Sequence, residues 1–207
     1  MSHSHPIFSR WYNFTASFQE RMGYAQLRKQ VLAPARGRVL AVGIGPGYDL
    51  LHLPPAVESV VAVEPDATMR RIAARRAAKA GVPLEVIKSV GERLPFGDNE
   101  FDTVLSVLVL CSVDDIPAVL GEMRRVLRPD GQLLVCEHVR AADGSSLSRW
   151  QDRLAFLWSL FGGGCRPNRR TPEFFKKSGF DTSGLVEAGV DGLPPLISPH
   201  LRGLARP

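Results

Sequence analysis

Apolar positions along this chain follow two periods, and the switches between them lay out the fold. Short, nearly continuous apolar runs fall at 37–43, 59–64, 84–88, 101–107 and 132–138. Runs this short and without alternation predict strands buried on both faces, as in a parallel sheet. Helical spacing fills the stretches between them, at 48–54, 66–80 and 114–127. Residues 7–33 carry two further helical patterns divided near Gly23, the first with an aromatic side of Phe8, Trp11, Tyr12, Phe14 and Phe18. Beyond residue 140, the stretch 145–161 opens on a capping Ser145 and closes at Gly162-Gly-Gly164. Leu147, Trp150, Leu154, Leu157, Trp158 and Phe161 share one side of it. A short helix at 172–178 and two strands at 180–187 and 200–206, paired antiparallel, complete the chain. Strands alternating with helices predict an α/β three-layer sandwich: a mostly parallel sheet covered on both faces.

Length and composition leave that picture intact. A chain of 207 residues with 44% hydrophobic and 23% charged residues is an ordinary globular composition for one α/β domain. It divides into a helical N-terminal segment (1–33), a core (34–140) and a closing part (141–207), with no repeat or linker. No apolar run is long enough to span a membrane, and the polar N-terminus lacks a signal-peptide layout. Contact with a membrane surface stays open. The net charge of +5 is concentrated in Met69–Lys79, where Met69, Ile72, Ala73, Ala77 and Ala80 form the apolar side. Arg70, Arg71, Arg75 and Lys79 then face solvent, which argues against a nucleic-acid partner. Cys111, Cys136 and Cys165 are odd in number, widely spaced and free of any CxxC, so a reduced, cytoplasmic chain is expected. Neither they nor His3 and His5 have metal-ligand spacing, so no metal is expected.

Candidate chemistry begins where the first core strand breaks into Gly43-Ile-Gly-Pro-Gly47. Glycines at alternate positions let the main chain turn sharply and approach a ligand, because no Cβ intervenes. The second strand ends in Glu64, about 20 residues on, where a carboxylate can accept both ribose hydroxyls. Tyr48 stands where a dinucleotide fingerprint has its third glycine, which points away from NAD and toward S-adenosylmethionine, a donor without a pyrophosphate.

With these motifs, residues 35–140 resemble the class I S-adenosylmethionine-dependent methyltransferases. The likeness rests on the glycine turn, Glu64, Val90-Gly-Glu-Arg-Leu-Pro-Phe96, Phe101-Asp-Thr-Val104 and Leu127-Arg-Pro-Asp-Gly131. It implies a Rossmann-like sheet of seven strands with the last inserted antiparallel. It also implies a cofactor site of Gly43, Gly45, Gly47, Glu64, Pro65, Gly91, Glu92 and Val107. A narrower likeness covers most of the chain, through Leu108-Val-Leu-Cys-Ser-Val113, Glu137-His-Val139, Trp150-Gln151, Gly164-Cys165 with Arg169, and Pro199-His-Leu-Arg-Gly203. These segments resemble the methyltransferase-like seven proteins of animals, membrane-anchored enzymes that methylate alkyl thiols. The apolar anchor is missing here, so a soluble bacterial relative is expected. Two positions depart from the wider pattern: Ala41 replaces an acid before the first glycine, and Val90 replaces an Asp that bonds adenine. Each loss predicts weaker cofactor binding by about 1 kcal/mol.

The expected reaction is in-line transfer of a methyl group to a small, fairly apolar acceptor. A thiol is favoured, with a quinone, phenol or amine as alternative and a non-catalytic cofactor-binding module as a reading of another class. His138, at the carboxyl end of the fifth strand, is the candidate base or else shapes the pocket. Its neighbour Glu137 points to the opposite face. Tyr12, Cys111, Trp150 and His200 are candidates for the acceptor pocket, Cys111 being expected mainly to pack. Trp150 is expected in the pocket and Trp158 in packing, with the aromatic N-terminal helix as a lid.

Overall fold

The computed structural model describes residues 6–162 and 164–207, apart from the side chains of residues 6–11, 14 and 161. Seven strands form one sheet: β1 (Gly37–Val42), β2 (Val57–Val63), β3 (Leu84–Ile87), β4 (Phe101–Val107), β5 (Leu127–His138), β6 (Asp181–Gly189) and β7 (Pro199–Arg206). Their spatial order is β3-β2-β1-β4-β5-β7-β6. The first five run parallel, and β7 enters antiparallel between β5 and β6. The chain order reverses at β1/β4, which places the binding crevice beyond the carboxyl ends of those strands.

Helices α1 (Pro6–Gln19), α2 (Ala25–Leu32), α3 (Ala67–Ala80), α4 (Ile116–Val126), α5 (Ser146–Phe161) and α6 (Thr171–Lys177) surround the sheet. Two buried clusters lie on its opposite faces. Leu40, Val42, Val104, Leu120, Met123 and Leu133 belong to one. Val39, Ala41, Ala62, Leu105, Leu134 and Cys136 belong to the other. Strict alternation along β1 and β5 divides the side chains between them. Asp66 and Asp115 cap α3 and α4 by accepting the N–H groups of Met69 and Ala118 at 2.8 and 3.0 Å.

Four local expectations are corrected. The helix expected at 48–54 shrinks to one 3-10 turn, Tyr48–Leu51, because Pro54 disfavours helical backbone at Leu53. The fifth strand begins earlier, at Leu127. On α3, Arg70 does not point freely to solvent; it donates to the carbonyls of Glu64 and Pro65 at 2.8 Å each, whereas Ala80 is exposed. On α5 the expected apolar side is only partly inside: Trp150 and Leu157 are exposed, Leu147, Leu154 and Trp158 are half-buried, and Ser148 and Gln151 are buried. Gln151 donates to the carbonyls of Val139 and Leu196 at 3.2 and 3.0 Å and accepts the Ala141 N–H at 2.7 Å. A polar anchor therefore docks this helix together with Trp158, which packs against the buried cluster. Gly23 separates the two N-terminal helices with φ 144°, as the sequence predicts. Of the aromatic side, Phe18 is exposed and Tyr12 partly buried, and Phe8, Trp11 and Phe14 lie outside the described side chains, as His3 and His5 lie outside the described residues.

Candidate active site

A cavity of about 980 Å³ opens beyond the carboxyl ends of β1, β2, β4 and β5. Of the sequence candidates, Gly43, Gly45, Glu64, Pro65, Gly91, Glu92, Tyr12, Cys111 and His138 line it.

At one end, Glu64 holds the glycine loop. Its carboxylate accepts the N–H of Gly45 and the N–H of Asp66, both at 2.9 Å. Burial raises the Glu64 carboxyl above its ordinary value, against the lowering effect of those two N–H groups. Gly43 and Gly45 have φ of 62° and 52°. A Cβ on Gly43 would stand 2.4 Å from Val109 Cγ2, whereas the Cβ position of Gly45 has no atom within 4 Å. Open space above Gly45 and a buried carboxylate at the cavity wall fit an adenosyl group with its ribose hydroxyls at Glu64. Gly47 is not in the wall. Its φ of 77° and the 3.1 Å approach of its Cβ position to Ala73 assign it to loop–helix packing. Arg76, on α3, stacks 3.8 Å from the Tyr48 ring centroid and donates to the Pro46 carbonyl, bracing the loop from outside.

A buried ion cluster braces the same loop from below. Arg28 on α2 donates to Glu20 Oε1 at 2.8 Å and to Asp49 of the 3-10 turn. It fastens the N-terminal segment to the turn that follows the glycines. The three residues come from separate elements, and nothing in their spacing announced the contact.

At the other end, β4 leads into Leu108, whose φ of 59° is rare for a branched residue. Leu108 thereby lines the cavity, while Val107, the sequence candidate, packs in the core beneath. Glu137 organises this loop from the opposite face of β5. It accepts the Ser106 hydroxyl at 2.9 Å and the N–H groups of Val109 and Leu110 at 3.0 and 3.1 Å. Burial pushes its carboxyl up to about 8 against those two N–H groups.

The loop delivers Cys111 to the cavity beside His138 and Cys165. Cys165 Sγ lies 3.4 Å from His138 Nε2. Two hydrogen bonds stitch the Cys165 loop to the Cys111 loop: Arg166 N–H to the Cys111 carbonyl at 3.0 Å, and Arg169 Nη2 to the Val113 carbonyl at 2.6 Å. The hydrogen bond from Cys165 holds the Cys111 thiol below its usual range, in spite of burial and with help from His138. Burial opposes a charge on His138, but the neighbouring Cys111 outweighs it and raises the imidazole. Cys111 is thus buried and also lines the cavity, with His138 and Cys165 as neighbours that its sequence context did not show. Cys165 was missed because it lies 27 residues from His138 in a glycine-rich turn with no motif spacing.

Two pocket candidates lie elsewhere. Trp150 is 53% exposed and outside the cavity, whose wall contains Trp158 in its place. His200 is fully buried behind His138, with ring centroids 5.9 Å apart. Its Nδ1–H donates to the Ser198 carbonyl at 2.8 Å, and its Nε2 accepts the Tyr24 hydroxyl at 3.0 Å. Burial drives its imidazole down to about 4, so it is neutral and structural.

Residues 40–135 match the family model described as a methyltransferase domain. The thiol S-methyltransferase TMT1B of Rattus norvegicus is 31% identical over 175 residues, which cover 81% of this chain and 69% of that protein. This chain belongs to the S-adenosylmethionine-dependent methyltransferases. Human thiol S-methyltransferase TMT1A is 27% identical, with 96% of this chain and 87% of that protein covered. A SAM-dependent methyltransferase of Thermotoga maritima, described as a possible histamine N-methyltransferase, superposes with a TM-score of 0.68 at 25% identity, covering 97% of each chain. The methyltransferase is thus an enzyme with S-adenosylmethionine as its methyl donor. No helix among its described residues is long and apolar enough to cross a membrane.

Proposed function

We propose that this methyltransferase transfers its methyl group to the sulfur of a small, fairly apolar thiol. The observation that carries this reading is the far end of the cavity, where His138 stands between two thiols and, among the described residues, accepts no hydrogen bond from a carboxylic acid and donates none to a carboxylate. An alcohol acceptor needs a strongly assisted base. A thiol is already a few per cent ionised at neutral pH and needs little help. Two relatives that align with most of the chain are named thiol S-methyltransferases, which supports the same choice.

In this reading Glu64 and the Gly43–Gly45 turn grip the adenosyl end, Pro65 flanks it, and Gly91, Glu92 and Val90 wall the adenine. When bound, S-adenosylmethionine supplies an electrophilic methyl group on a good leaving group. Tyr12 covers the cavity from α1, while Trp158 and Ile197 keep water from the acceptor side. Methyl transfer to a thiolate neutralises charge, so a dry pocket that aligns the nucleophile favours the transition state. His138 is the group within reach of the acceptor's proton.

Incubation with labelled S-adenosylmethionine and matched acceptors tests the reading: an alkanethiol, the corresponding alcohol, a phenol and an aromatic amine. Label appears in the thioether. Label in the phenol or amine product, with the thiol left untouched, overturns the thiol assignment and leaves methyl transfer standing.

A further inference from the structure

We infer that Cys111, Cys165 and His138 form a zinc(II) site whose fourth coordination position faces the cavity and takes the acceptor thiol as its thiolate. The acceptor half rests on the thiol reading above; the metal half rests on geometry alone. The two sulfurs and the imidazole nitrogen lie within 4.8 Å of one another. Tetrahedral zinc, with bonds of about 2.3 Å to sulfur and 2.0–2.1 Å to nitrogen, sets its ligand atoms about 3.6–3.8 Å apart. The observed 3.4 Å between Cys165 Sγ and His138 Nε2 already meets that spacing. Any remaining contraction is about 1 Å, within reach of a rotamer adjustment.

The donor set is itself selective. Two thiolates and an imidazole are the soft and borderline ligands that zinc prefers over magnesium or calcium. Three protein ligands with a vacant fourth side make an open, chemically active site rather than a closed structural one. All three residues line the cavity, so the vacant side faces the space an acceptor would enter. The scaffold is also fixed in advance: β5 presents His138, Glu137 sets the Cys111 loop, and the Arg166 and Arg169 hydrogen bonds hold the Cys165 loop against it.

The metal changes how the acceptor is ionised. A thiol entering the fourth position binds as thiolate and releases its proton to water, since a coordinating thiol is deprotonated outright. The sulfur then forms a bond to the methyl carbon as the methyl–sulfonium bond breaks, with that electron pair staying on the donor's sulfur. The neutral thioether is a weak ligand and leaves. In this arrangement His138 is a ligand, and Cys165 becomes as necessary as His138.

Reduced protein is loaded with zinc, desalted and assayed for bound metal, and affinity is measured by competition with a chromogenic chelator. About one zinc per chain is expected. Cys111→Ala, Cys165→Ala and His138→Ala should each weaken binding by at least the 10–100-fold typical of a lost outer-shell partner. Cys136→Ala, at a buried cysteine outside the ligand trio, should leave binding unchanged. Retained affinity for S-adenosylhomocysteine shows that each variant is folded. Cobalt(II) in place of zinc gives thiolate-to-metal absorption bands, which should move on addition of butanethiol and not of butanol. No stoichiometric zinc in reduced, folded protein overturns the site, as does equal binding by the three variants. Cobalt bands indifferent to butanethiol overturn the open position. Bands that move with butanethiol while no thiol is methylated uphold the site and defeat the thiol reading alone.

Discussion

The Glu64 carboxylate accepts the N–H of Gly45 at 2.9 Å, tying the end of β2 to the turn that follows β1. One acid thereby shapes the glycine loop, and in the proposed reading its remaining lone pairs serve the cofactor. Replacing it by alanine removes hydrogen bonds to a charged group, worth about 1.5–3 kcal/mol. Glu64→Ala should weaken S-adenosylhomocysteine binding roughly 10- to 150-fold by calorimetry; unchanged affinity would remove the cofactor assignment.

Glu64 also sets a pH dependence. Burial, the largest influence, raises its folded value above 4.5. Its contribution to stability is therefore present below about 4.5 and lost as pH rises through the raised value, because the charged form is the disfavoured one in the fold. In the proposed reading the ribose hydroxyls donate to that charged form. Cofactor affinity should be full above the raised value and decline as pH falls through it, with a proton released on binding in that window. Calorimetry in buffers of different ionisation enthalpy reads the proton directly, and a flat profile in Glu64→Gln is the control.

Arg28 joins α2 to Glu20 and to Asp49 in the interior. Truncation strands two buried carboxylates. Arg28→Ala should cost about 3–5 kcal/mol by chemical denaturation. S-adenosylhomocysteine should restore part of the loss by mass action. A loss below about 1 kcal/mol would mean that the cluster carries no net energy.

Gln151 makes all three of its hydrogen bonds to main-chain groups at the junction of α5, β5 and the Leu196 turn. Gln151→Leu keeps the volume and leaves those groups buried and unpaired, at about 1–3 kcal/mol each before relaxation. Thermal denaturation should show a clear loss. The KM for the acceptor should rise more than that for the donor, because α5 carries Trp158.

Trp158 faces the cavity and Trp150 faces solvent. Trp158→Ala should lower kcat/KM for the acceptor about tenfold or more, the cost of losing a large apolar wall. Trp150→Ala should change it less than twofold, a surface substitution of about ±0.5 kcal/mol. The reverse order would relocate the acceptor pocket.

Chain chemistry alone determined the strand–helix alternation, the glycine turn and the place of Glu64 at the end of the second strand. Each of those rests on local periodicity or on a backbone requirement that only glycine meets. Other features were decided by tertiary structure. The sequence could not show that Gln151 rather than the neighbouring tryptophan would be buried, because a polar residue enters a core only where main-chain partners from β5 and the Leu196 turn meet it. Nor could it show Leu108 displacing Val107 from the cavity wall, since that follows from a left-handed residue held by the Glu137 network. The meeting of Cys111, His138 and Cys165 was likewise invisible. Three segments with no common spacing converge there only because β5 ends between two loops, and hydrogen bonds between those loops hold the sulfurs against the imidazole.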